Sequence, residues 1–263
     1  MARQARTVIP GQAMHVMVRG NNRETLFFKD EDRQIYLEWL RDAARQFSCA
    51  VHAFALMPNH VHLLLTPQNE DSLAKTMQSL GRRYAQYFNQ QHHRSGTIWE
   101  GRYRSSLIDP DYFLRCQRYI ELNPVRAGYE SSPQDSRWTS FATHIGGNAE
   151  PWLMDHPQFW KLGNTPFERQ MNWANFVKEG APHWEDRQIT ESLIRSKPWV
   201  SDAFAKRLFK DSPDLIQMRH RGRPKKIIPL NSVIRGGPAP KQHCLSKTNF
   251  AMQNTCINYL TPH

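Results

Sequence analysis

The chain has 263 residues, enough for a substantial core and one or two domains, with 39% hydrophobic residues, four cysteines and a formal charge of +11. Cys49, Cys116, Cys244 and Cys256 have no CxxC spacing, the opening Met-Ala-Arg-Gln-Ala-Arg lacks the apolar core of a secretory signal, and no apolar run approaches the roughly 20 residues of a membrane span. These features argue against a disulfide framework, a secreted protein and a membrane protein, and set the expectation of a reducing, cytoplasmic, nucleoid-associated setting. The charge is uneven: +4 over residues 1–147, +1 over 148–210 and +6 over 211–263. That imbalance favours a polyanionic partner, nucleic acid before membrane.

In chain order, residues 14–19 alternate as a strand, and Gly20-Asn21-Asn22 breaks it. Asp30 is placed to cap a helix running to about residue 48, whose Tyr36, Trp39, Leu40, Ala43, Ala44 and Phe47 recur at three- and four-residue steps. Two strands, about 49–57 and 60–66, are joined tightly through Pro58-Asn59, as an antiparallel hairpin requires. A second helix starts near Asp71-Ser72 and runs to about residue 89, burying Leu73, Met77, Leu80, Tyr84 and Phe88, with Arg82 and Arg83 flanking its packed side. Residues 90–101 read as loop and 103–108 as a fourth strand. Asp109-Pro110-Asp111 leads into a third helix, 112–123, ending at Pro124.

The order strand, helix, strand, strand, helix, strand describes an α+β fold. It is a ferredoxin-like or RRM-like split βαβ sandwich, an antiparallel sheet with helices on one face. A C-terminal helical extension follows. Thr165 is a cap for a helix over 167–177, and helical spacing recurs over 186–194 and 201–209. The domains expected are 1–147 for the sandwich, 148–210 for a small helical domain rich in aromatics, and 211–263 for a basic, largely flexible tail.

Two stretches carry chemistry. In a strand, His60 and His62 project from one face while Val61 packs on the other, so two imidazoles offer half of a metal site. In the third helix, Asn123 lies four residues after Tyr119, and residues four apart share a face. If that helix lies on the face bearing the histidines, a cation would have His60, His62 and the Asn123 amide oxygen, with positions left for phosphate oxygens and water. Mixed nitrogen and oxygen ligands suit Mg²⁺ or Mn²⁺ better than a closed zinc site, and a tyrosine beside the ion suits nucleophilic phosphoryl transfer. Tyr112 competes for that role, but its partner four residues on is Cys116, a soft ligand poorly matched to Mg²⁺.

Met57-Pro58-Asn59-His60-Val61-His62-Leu63 resembles the HUH motif, histidine-hydrophobic-histidine, of the single-tyrosine HUH transposases. Arg118-Tyr119-Ile120-Glu121-Leu122-Asn123-Pro124-Val125-Arg126-Ala127-Gly128 resembles the tyrosine helix of the REP-associated tyrosine transposases, a branch of the IS200-like superfamily. With Trp99-Glu100-Gly101-Arg102-Tyr103-Arg104 between them, the resemblance extends over about residues 8 to 145. It implies cleavage of single-stranded DNA, with Tyr119 forming a 5′-phosphotyrosine, a 3′-hydroxyl left behind, and His60 and His62 as metal ligands. Asn123 stands where related enzymes often carry glutamine. The resemblance also implies palindromic repeat hairpins as substrate, read with a short tetranucleotide guide, and an enzyme that works as a monomer or as a homodimer. Arg82, Arg83, Arg102 and Arg104 are candidates for DNA backbone contacts. In the tail, Arg219-His220-Arg221-Gly222-Arg223-Pro224-Lys225-Lys226 resembles an AT-hook. There Gly222 would let the backbone approach an AT-rich minor groove, Arg221 and Arg223 would enter it, and Lys225 and Lys226 would meet phosphates. A non-catalytic DNA-hairpin-binding protein or repressor, keeping the same fold and basic tail, is the alternative.

Overall fold

The computed structural model describes residues 8–147, 150–208 and 210. The AT-hook-like residues Arg221, Gly222, Arg223, Lys225 and Lys226 lie outside the described residues.

Four strands, β1 (Met14–Arg19), β2 (Cys49–Met57), β3 (His60–Pro67) and β4 (Arg104–Leu107), form one antiparallel sheet in the order β2-β3-β1-β4. This is the ferredoxin-like order expected from the sequence. Between the strands run α1 (Asp30–Gln46) and α2 (Ser72–Gln91). Both cover one face of the sheet, where Tyr36, Leu40 and Ala44 of α1 and Leu80, Tyr84 and Phe88 of α2 meet Val16, Val61, Leu63 and Leu65. The cap of α1 comes from Asp32 rather than Asp30: its carboxylate accepts the Phe28 and Lys29 amides at 2.8 and 3.1 Å and the Tyr87 hydroxyl of α2 at 2.8 Å. A single buried acid thus closes a helix end and ties the two helices together.

After β4, a short 3₁₀ turn (Pro110–Tyr112) leads into α3 (Phe113–Glu121) and α4 (Asn123–Arg126). Pro124 therefore opens a helix instead of ending one. In a first turn its missing N–H costs nothing. α5 (Phe141–His144) follows, and the extension supplies α6 (Pro157–Trp160), α7 (Pro166–Lys178), α8 (His183–Arg195) and α9 (Asp202–Leu208). Thr165 caps α7 through the Glu168 amide at 3.2 Å, as its position predicts. Not every aromatic of this segment builds core: Phe159 and Trp173 are buried, while Trp160, Phe167 and Trp184 are exposed.

The second sheet face is also covered. Ala53 and Ala55 of β2 are small enough for α3 to lie close, and Phe113, Cys116 and Ile120 pack there with Leu64. α8 completes the layer over β4 and β1, bringing Ile189 into the same cluster as Trp199. The free edge of β2 is closed by backbone bonds from Leu56 N to Trp138 O (2.9 Å) and Met154 N to Val51 O (2.8 Å), which leaves fewer unpaired groups for aggregation.

Glu121 at the end of α3 joins these parts. Fully buried, it accepts Ser140 Oγ at 2.7 Å, His144 Nδ1 at 2.6 Å and Trp173 Nε1 at 3.0 Å. Truncation would strand three donors in a dry site. Glu121→Ala is expected to cost roughly 3 kcal/mol or more, a fall in Tm of about 6–12 °C for a unit of this size, measured by thermal and urea unfolding.

Candidate active site

The hairpin turn at Pro58-Asn59 places His60 and His62 at alternate positions of β3, with ring centroids 5.0 Å apart. His60 Nδ1 hydrogen-bonds Asn59 Oδ1 at 2.7 Å, and His62 Nδ1 pairs with Nε2 of His15 on β1 at 2.9 Å. Each ring is held through Nδ1, and neither Nε2 has a partner among the described residues. Metal-ligating histidines are commonly oriented in this way, by a hydrogen bond to the other nitrogen. Coordination through Nε2 of His62 selects the tautomer in which its Nδ1–H donates to His15.

Burial keeps these imidazoles neutral. It is the main cause lowering His15 to about 3 and His60 to about 4, with the charge of Arg126 adding at His15 and that of Arg19 at His60. His62 is held well below the ordinary value, first by burial and then by His15, His60 and the two arginines. Neutral imidazole is the form that binds a cation.

α3 lays Tyr119 across this group, its ring 5.9 Å from that of His62 and 5.6 Å from that of His15, both edge-on. Tyr119 is only 7% exposed. Thr190 Oγ1 of α8 donates to the Asp186 carbonyl at 2.8 Å, so at 3.0 Å it accepts the Tyr119 hydroxyl proton. Arg126 lies over the Tyr119 ring at 3.7 Å. One of its nitrogens donates to the Tyr119 carbonyl at 2.9 Å and the other to Asp186 Oδ1 at 2.8 Å. Asn123 donates through Nδ2 to the Tyr119 and Ile120 carbonyls at 3.1 and 3.3 Å, which leaves its Oδ1 as the group available to a cation. A cleft of about 400 Å³ is lined by His60, Tyr119, Asn123, Arg126, Asp186 and Thr190 among others. Among the described residues, no group of three or more His, Cys, Asp or Glu is arranged to hold a metal ion by itself. Two imidazoles and one amide oxygen fit a hard divalent cation that keeps open positions, and do not fit a closed zinc site.

The other predicted residues are dispersed. Tyr112 packs at a tilt against Trp199 (ring centroids 4.8 Å apart) and beneath Arg115, while Cys116 is buried, its thiol pushed up by desolvation. Arg82 and Arg83 do not join the site. They are on the outer side of α2, which packs on the opposite sheet face, where Arg83 lies 4.8 Å over Trp39. Helical spacing marked their helix but could not say which face of the sheet it covers. Arg104 donates to the Ile194 carbonyl of α8 at 2.8 Å, and Arg102 is exposed beside Arg19 and Glu100. Sequence reasoning missed His15, Arg126, Asp186 and Thr190. For His15 a signal existed, a polar residue two positions from Met17 on the same strand face. Arg126 stands seven residues after Tyr119, within the quoted motif. Asp186 and Thr190 carry no local signal.

Residues 9–123 match the family described as "Transposase IS200 like". Among solved structures, the chain resembles one described as a REP-associated tyrosine transposase bound to a REP hairpin, with TM-score 0.47 and 19% identity over 60% of this chain and 93% of that one. It also resembles a putative transposase from Deinococcus radiodurans R1, with TM-score 0.33 and 27% identity over 46% of this chain and 96% of that one. No curated protein matches. None of the described helices is long and apolar enough to cross a membrane.

The buried histidines make stability depend on pH. His15 is lowered to about 3 and His52 to about 4, both chiefly by burial, whereas in the unfolded chain each titrates near 6.5. The unfolded state therefore binds more protons below 6.5, so stability is fully present above that value and is lost as pH falls toward 4. Each histidine contributes a slope of about 1.4 kcal/mol per pH unit within that window. The urea midpoint is expected to drop steadily between pH 7 and pH 4.5, and His52→Gln to make the decline shallower.

Proposed function

Because residues 9–123 match the IS200-like transposase family, we propose that this protein is a metal-dependent single-stranded DNA endonuclease and strand transferase acting on palindromic repeat hairpins. The observation that supports it most directly is that Tyr119 and His60 of one chain line one cleft, while the ring of the buried His62 lies 5.9 Å from that of Tyr119 and 5.0 Å from that of His60. In this reading the Tyr119 oxygen attacks the scissile phosphorus. The bond between phosphorus and the 3′ oxygen breaks, leaving a 5′-phosphotyrosine, while the phenol gives up its proton and the departing 3′ oxygen gains one. Mg²⁺ or Mn²⁺ held by His60, His62 and Asn123 would polarise the phosphate and offset the charge gathering on its oxygens. Arg126, 3.7 Å over the Tyr119 ring, adds positive charge beside the reacting groups. Its bond to the Tyr119 carbonyl and that of Thr190 to the hydroxyl hold the nucleophile in place. Since α3 packs on its own sheet, one chain supplies both nucleophile and histidines, which favours action as a monomer.

The test incubates 3′-labelled single-stranded hairpin DNA and Mn²⁺ with the wild type, Tyr119→Phe and His15→Phe, and reads protein-linked DNA on a denaturing gel. The wild type is expected to form the adduct and Tyr119→Phe to form none. His15→Phe removes the partner of His62 Nδ1 and should lower the yield about 10- to 100-fold, with partial recovery at higher Mn²⁺. Hairpin binding without any wild-type adduct, across several hairpins, would sink the nuclease and leave a hairpin-binding protein or repressor.

A further inference from the structure

β1 lies between β3 and β4, and on the face it shares with His62 it presents His15, Met17 and Arg19. Arg19 is the direct cross-strand partner of His60. Met17 partners His62 on one side and Arg104 on the other. Trp99 bridges to Gly20, and the Glu100 amide donates to the Arg19 carbonyl at 2.9 Å, so the loop before β4 is tied to this end of β1. That tie brings four charged side chains, Arg19, Glu100, Arg102 and Arg104, around one small open pocket.

Glu100 stands between Arg19 at 3.6 Å and Arg104 at 3.8 Å. Direct charge-assisted bonds are about 2.7–2.9 Å, so this carboxylate balances charge without closing on either guanidinium. Arg102 has no ion-pair partner among the described residues. The backbone is open at Gly101, where φ is +153° and nothing lies within 4 Å of the place a Cβ would take. Three guanidiniums and one carboxylate leave an excess of positive charge, with Arg19 one strand spacing, about 5 Å, from His60 and Arg104 on the strand beyond. Several guanidinium donors around one centre match an anion with several oxygens, and His60 belongs at once to this row and to the cleft of Tyr119.

Resting on the single-strand cleavage proposed above, we infer that Arg19, Arg102 and Arg104 form a phosphate subsite for a phosphodiester adjoining the scissile one, and that Glu100 is its built-in competing anion. The subsite holds the strand in register with Tyr119 on the side away from α4. A phosphate so gripped carries no base information, so the subsite acts on any sequence.

The experiment uses the full chain with Tyr119→Phe, in EDTA so that no cleavage intervenes, and measures fluorescence anisotropy of a labelled single-stranded oligonucleotide over a series of KCl concentrations. Arg19→Gln and Arg102→Gln are expected to weaken binding several-fold and to make the plot of log K against log salt shallower by about 0.7 per lost contact. Arg19→Lys should keep the slope, and Glu100→Gln should tighten binding. Slopes equal to the parent's in both glutamine variants, or weaker binding by Glu100→Gln, would overturn the subsite even if the wild type forms adducts. Conversely, a wild type that forms no adduct but shows the expected slope changes would overturn the nuclease reading and leave the subsite standing. Millimolar inorganic phosphate that displaces the oligonucleotide from the parent and from Arg19→Gln equally would also count against it.

Discussion

The site depends on the register between β1 and β3. Pairing of Arg19 with His60 and of Met17 with His62 puts both histidines, His15 and the arginine on one sheet face. Side chains alternate with a period of two, so a slip by one residue would send the imidazoles into the face packed by α1 and α2 and turn Val61 and Leu63 toward the side of the cleft. Burial of Val16, Val18, Val61, Leu63 and Leu65 penalises that slip, so the apolar set of one face positions the polar set of the other. Roughly 25 cal/mol for each Å² of apolar surface removed from water makes this face the stronger determinant of register.

The second constraint is the way α3 is seated. Ala53 and Ala55 admit the helix to the sheet, Glu121 fastens its end to α5 and α7, and Arg118 pairs with Glu185 of α8 at 2.7 Å with both side chains nearly buried. A buried ion pair adds little net stability over an apolar pair, but breaking either half leaves an uncompensated charge, so it selects one docking geometry. Tyr119 lies between these two anchors, and its position follows from theirs. The extension is thus part of the wall of the cleft, through Asp186 and Thr190, as well as a neighbour of the sandwich.

Electrostatically, the site combines neutral imidazoles with surrounding cations. Burial holds His15, His60 and His62 uncharged, while Arg19 and Arg126 reinforce that state from either side. Arg126 lines the cleft beside Tyr119, and Arg19 lines the neighbouring pocket with Arg102 and Arg104. Positive charge that disfavours protonation of an imidazole is also the charge that attracts an anion, so on the proposed reading one arrangement serves both needs.

Most of the fold and half of the candidate site were legible in the sequence. Period-two and period-3.6 patterns located the strands and long helices to within a few residues, since they reflect backbone geometry acting over a few positions. Local spacing likewise placed His60 beside His62 and Asn123 beside Tyr119. It did not reveal that Arg82 and Arg83 are on the far side of the sheet, that Pro124 begins a helix, or that His15 holds His62 across 47 positions of chain. Nor did it reveal that Thr190, 71 residues away, meets the Tyr119 hydroxyl. The sequence by itself determined which residues share a face of one element. Which faces meet was decided only by the tertiary structure, because contacts so distant along the chain are set by the packing of whole layers and leave no periodic trace.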